Sequence, residues 1–107
     1  MSNATDIRQA RRERSPEEVA AALRAQWRMI ASVSLRPSRG GEGFDAELHL
    51  DPIVVRASLD QQGHPRTPAQ MDRIEARRLD ALAGCVDRVN EGLPPDERIN
   101  AFAVAPA

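Results

Sequence analysis

Apolar residues recur along this chain with two different periods, and the switches between them mark its elements. Val19, Leu23, Trp27 and Ile30 follow one another at steps of four, four and three, which is one face of a helix. Ser15-Pro16-Glu17-Glu18 supplies its start. The Ser15 hydroxyl can accept an orphan backbone N–H, Pro16 suits the first helical position, and Glu18 completes a capping box. The helix is predicted from Pro16 to a point between Gln26 and Ala31. From there the period falls to two. Met29, Ala31, Val33 and Leu35 alternate with Ile30, Ser32, Ser34 and Arg36, predicting a strand over 31–36. Arg36 to Gly43, with one proline and three glycines, reads as a loop.

The longest alternation follows. Phe44, Ala46, Leu48 and Leu50 alternate with Asp45, Glu47, His49 and Asp51, and after Pro52 the apolar positions are Ile53, Val55, Ala57 and Leu59. With Asp51-Pro52 as a two-residue turn, each apolar residue faces an apolar one and Glu47 lies opposite Arg56, which predicts a hairpin. Asp before Pro is a poor hairpin turn, and a single strand bulged at Pro52 is the alternative. A polar loop from Asp60 to Arg66 leads into a second capping box, Thr67-Pro68-Ala69-Gln70. The helix it opens is predicted to reach Asn90, with Gly92 as a stop and Pro94-Pro95 beyond. On a helical wheel Met71, Ile74, Leu79, Leu82, Cys85, Val86 and Val89 share one arc. Ile99 to Val104 reads as a short last strand.

The predicted order is α-β-β-β-α-β. One sheet face is apolar, the other polar, and each helix has one apolar stripe. The fold class is therefore α+β: a two-layer, mainly antiparallel sheet of about four strands with two helices on one face. Residues 15–107 form the single domain. Residues 1–14 hold one large apolar side chain, Ile7, and read as a flexible arginine-rich arm. Helix, three strands and helix in succession resemble a double-stranded RNA-binding domain. That family's lysine cluster at the second helix start is replaced here by Met71-Asp72-Arg73, so the RNA role it implies is set aside.

Composition changes this picture in two ways. The chain has 107 residues, and 15 basic residues (all arginine) against 16 acidic ones give a net charge of −1. Such a balance argues against a whole-body polyanion binder. A single cysteine excludes an internal disulfide framework. No apolar run is long enough to span a bilayer, and a cytoplasmic protein without membrane contact is expected. The absence of lysine reflects GC-rich coding and by itself marks no site.

Candidate chemistry is sparse. No nucleophile elbow, metal-binding pattern or nucleotide loop occurs, so no catalytic residue, metal or cofactor is expected. Cys85 falls in the apolar stripe and reads as a core-filling thiol, and His64 as a turn residue. Glu47, His49 and Arg56 would share the polar sheet face, where a ligand or a reaction could be served. Glu75 and Arg78 lie inside the apolar arc at a spacing that lets them pair. Either this part of the helix overhangs the sheet and both chains reach water, or the two enter a protein contact or a small polar pocket at the helix–sheet seam. Arg8, Arg11, Arg12 and Arg14 could touch nucleic acid, although Asp6, Glu13, Glu17 and Glu18 offset them. The leading expectation is a non-enzymatic interaction or regulatory domain with a protein partner, its cheapest form a homodimer formed through a sheet edge. The alternatives are nucleic-acid contact through the arm, and a ligand-binding protein or enzyme using the polar sheet face.

Overall fold

The computed structural model describes residues 15–105. The arm at 1–14, with Arg8, Arg11, Arg12 and Arg14, lies outside them. The elements are α1 (Pro16–Arg24), β1 (Ile30–Pro37), β2 (Phe44–Leu50), α2 (Pro52–Gln61), α3 (Pro68–Glu91), a 3-10 turn (Pro95–Glu97) and β3 (Ile99–Val104). The class is α+β, with three helices and a three-stranded sheet ordered β1-β2-β3. β1 and β2 are antiparallel, β2 and β3 parallel. Four mainly antiparallel strands with two helices are therefore corrected to a mixed sheet of three strands with three helices.

The difference lies at Asp51-Pro52. In place of a hairpin turn, the Asp51 carboxylate accepts the backbone N–H of Ile53 at 2.9 Å and caps a helix whose first residue is Pro52. Asp at the cap and Pro at the first position are the strongest of helix starts. The alternation of Ile53, Val55, Ala57 and Leu59 does not survive, since successive members point to nearly opposite sides of a helix. Ile53 is 80% exposed, while Val54, Val55, Ser58 and Leu59 are half-buried at helical spacing. The predicted Glu47–Arg56 pair across a hairpin does not exist, because Arg56 is on α2.

The other elements match their local signals. Ser15 caps α1 by accepting the Glu18 N–H, and Thr67 and Gln70 form a reciprocal capping box on α3. α1 ends at Arg24, a little short of the expected 26–31. In the sheet, Val33 pairs with Leu48 and Leu35 with Ala46, and on the far side of β2 Ala46 and Leu48 meet Phe102 and Val104. This is the apolar face. Val19 and Leu23 of α1 and Leu82, Cys85, Val86 and Val89 of α3 complete the core over it. Only the C-terminal half of α3 is buried. Met71 and Ile74 are half-buried and Leu79 is 49% exposed.

Two side chains fix β3 in place. Asn90 donates to the Ile99 carbonyl at 2.9 Å and accepts its N–H at 2.8 Å, tying the end of α3 to the strand start. Asn100 donates to the Glu42 carbonyl at 2.7 Å and the Ser38 hydroxyl at 3.0 Å, tying β3 to the β1–β2 loop. That loop needs Gly43, whose φ is +80° and whose missing Cβ would lie 2.6 Å from the Arg98 carbonyl oxygen. Gly41 has a similar φ, +82°, but open space around it. Gly41→Ala is expected to cost about 1 kcal/mol for the left-handed backbone alone. Gly43→Ala should cost roughly 3 kcal/mol, because the clash is added. Urea denaturation of the two variants checks this, and equal losses would contradict it.

Candidate functional site

The parallel strands β2 and β3 end side by side, at Leu50 and Val104. Beyond those ends the chain departs into α2 on one side, and the first turns of α3 project past the core on the other. Divergence at the carboxyl ends of parallel strands leaves a crevice, which is where open sheets commonly bind ligands. Here the crevice has a volume of about 680 Å³. Its apolar wall is built by Leu50, Val55, Leu59, Leu79 and Val104, and four polar side chains, His49, Arg56, Glu75 and Arg78, also line it.

Arg78 is the unusual member. Its Nη2 atom is out of contact with water and has no hydrogen-bond partner. The expected Glu75–Arg78 ion pair is not formed; among the described residues Arg78 has no carboxylate within 4.0 Å, and Glu75 is exposed. The turn of α3 that carries both residues precedes the buried half of the helix, with Glu75 exposed and Arg78 half-buried. A guanidinium has five N–H donors and no acceptor, and a buried donor left unmatched loses its hydration without replacement. The cleft thus offers apolar area together with one unsatisfied cationic donor.

His49 stands at the rim. It is in register with Ser32, not opposite Val54 as the hairpin required. Its Nε2 lies 3.2 Å from Glu47 Oε1 and 3.5 Å from the Ser34 hydroxyl, with both His49 and Glu47 about 40% exposed. Glu47 remains on the polar sheet face, and Arg56 is removed from it to α2. Of the five candidates named from sequence within the described residues, His49, Arg56, Glu75 and Arg78 line one cleft, and Glu47 holds His49 from outside it.

Val55, Leu59 and Leu79 were not legible as site residues, since each fitted a strand or a core stripe. The signal that could have found the first two was Asp51-Pro52 read as a helix start. Among the described residues no three His, Cys, Asp or Glu side chains are placed to hold a metal ion. No described helix is long and apolar enough to cross a membrane.

Fold and cleft together define a small α+β domain with a three-stranded mixed sheet and an amphipathic crevice at its parallel strand ends. Comparison with protein-family models, with curated proteins and with solved structures finds no match.

Replacing Arg78 removes an unmatched buried donor while Met keeps most of its length. Arg78→Met is expected to leave folding stability unchanged or to raise it by up to about 1 kcal/mol. Thermal and chemical denaturation measure this, and a clear loss would show that the guanidinium supports the fold.

Proposed function

We propose that this chain is a small non-enzymatic interaction domain, and that the cleft between α2 and α3 receives a segment of a partner protein combining aliphatic side chains with a carboxylate. The observation that carries this reading is the Arg78 nitrogen, shielded from water without an acceptor in a crevice whose walls are otherwise largely apolar. A partner carboxylate would satisfy it in a charge-assisted hydrogen bond, and the fork geometry of arginine favours that group. With Arg56 beside it and Glu75 the one acidic lining residue, the cleft carries a formal charge of +1, His49 counted as neutral.

α2 supports the same reading. It has no buried residue, its apolar side chains Val54, Val55 and Leu59 are half covered, and Ile53 is open to solvent. Clustered apolar surface at the rim of a crevice favours a partner that covers it, and a central arginine among aliphatic contacts is a frequent anchor of such interfaces. A cytoplasmic setting belongs to the proposal.

Selection from a random peptide library on the full chain tests this. Enriched peptides are expected to place Asp or Glu within a few residues of Leu, Ile or Val. Their affinity should fall about tenfold or more in Arg78→Met, as for a lost charged hydrogen bond, and disappear in Leu79→Glu. No enrichment, or binding indifferent to both substitutions, would refute the reading.

Self-association is a second reading, favoured by the position of β3 at the sheet edge with Asn100, Ala101 and Ala103 exposed. Sedimentation equilibrium over a hundredfold range of concentration should then show a dimer, and a monomer throughout would remove it.

A further inference from the structure

A second hollow lies beside the turn that joins α2 to α3. Its volume is about 370 Å³, and it shares no lining residue with the cleft. His64 and Arg66 line it from the turn, and Arg73 and Arg77 from the first turns of α3. No aspartate or glutamate lines it.

We propose that this hollow is a binding site for a phosphate group, with the guanidinium groups of Arg66, Arg73 and Arg77 as its donors. All three arginines are exposed, and among the described residues none of their side chains makes an ion pair or hydrogen bond. The one polar contact of Arg66 is through its backbone N–H, which donates to the Gln70 side chain at 2.7 Å. Arg73 and Arg77 stand one helical turn apart on the same face, where like charges destabilise a helix. Arg73 has no carboxylate three or four residues away on either side, and Arg77 has only Asp80, three residues further on, with which it forms no ion pair. Three free forks around one hollow match an anion with several oxygens, and arginine binds phosphate in that bidentate manner.

The absence of lysine from the chain accounts for why the cations are arginine. It does not explain their segregation. Acidic residues outnumber basic ones, 16 to 15, yet nine residues line this hollow with three arginines and no acid among them. At the start of α3 the Thr67 hydroxyl already accepts the Gln70 N–H, and the Gln70 side chain accepts the N–H groups of Arg66 and Thr67. Of the lining residues, His64 is the one in an ion pair, its Nδ1 lying 3.3 Å from Asp60.

The phosphate can belong to a small ligand or to a nucleic-acid strand, and the full chain distinguishes these with two probes at low salt. Inorganic pyrophosphate is titrated calorimetrically, and a fluorescent single-stranded 20-nucleotide DNA is followed by anisotropy. The test variant is Arg73→Gln with Arg77→Gln. The control is Arg24→Gln with Arg39→Gln, which removes the same charge from exposed positions elsewhere. Pyrophosphate binding weakened at least tenfold in the test variant, and unchanged in the control, establishes the site as one for a small phosphate ligand. Binding of the oligonucleotide alone, with the slope of log affinity against log salt reduced by about 1.4 in the test variant only, establishes it as a nucleic-acid contact, two phosphates contributing about 0.7 each. Binding of neither probe, or equal weakening in both variants, overturns the proposal. Peptide capture by the cleft is expected to be the same in all these proteins, so failure here and failure of the proposed function are separable.

Discussion

The fold depends on the burial of one small apolar cluster against one face of the middle strand. Leu48 is fully buried, with Val33 and Val104 beside it in the sheet and Leu23 and Leu82 in the cluster that covers it. Burying a leucine contributes roughly 2–3 kcal/mol. A chain of this size can build only one such cluster, and small cores are marginal. The distribution of order follows from that limit. α1 and the second half of α3 contribute to the cluster and hold buried residues, while α2 contributes none and holds none. What fixes α2 and the first turns of α3 is local: the Asp51 cap, and the Thr67–Gln70 box. The cleft lies where burial ends and capping takes over.

Parallel pairing of β2 with β3 is the second consequence. A parallel partner must be reached by a crossover, and here the crossover is two helices, a 3-10 turn and their links. Ordering so long a connection costs loop-closure entropy, and β3 has a single ladder, with β2, to set against it. The Asn90 and Asn100 side chains add hydrogen bonds at the point of return, one clamping the end of the crossover and the other the hairpin loop. Both are side chain replacements for ladder bonds that a three-stranded sheet does not supply.

Most of the element boundaries were legible, because caps and periods agreed. The cap at Ser15, the box at Thr67, the strand from Phe44 and the strand from Ile99 each had a local cause that the fold left intact, whereas at Ser15 the Glu18 carboxylate accepts the Ser15 hydroxyl and does not close the predicted box. The segment 53–59 was not legible by period. Val54 and Val55 are adjacent, and a run of apolar residues with branched side chains satisfies a strand pattern and a helix pattern at once. The deciding feature was the chemistry of two residues, Asp51 and Pro52. Partner choice in the sheet was also beyond reach, since β3 has too few large side chains to specify which strand it joins or in which direction. The cleft inherits both uncertainties: its residues were visible one by one, and their convergence was not.

The apolar stripe of α3 runs on past the half of the helix that is buried, and Glu75 and Arg78 fall within that extension. Before Leu82 the stripe faces only the half-covered α2 across the cleft. An uninterrupted run of Ile74, Leu79 and their neighbours there would expose a continuous apolar patch. Two charged residues set into the stripe interrupt it. Glu75 does so at the surface, but Arg78 lays its chain along the cleft wall and brings its terminal nitrogen out of water. Solubility alone would be met by a residue whose charge stays hydrated. A guanidinium held over an apolar crevice, with α2 facing it and half uncovered, is instead the feature on which the proposed partner binding rests.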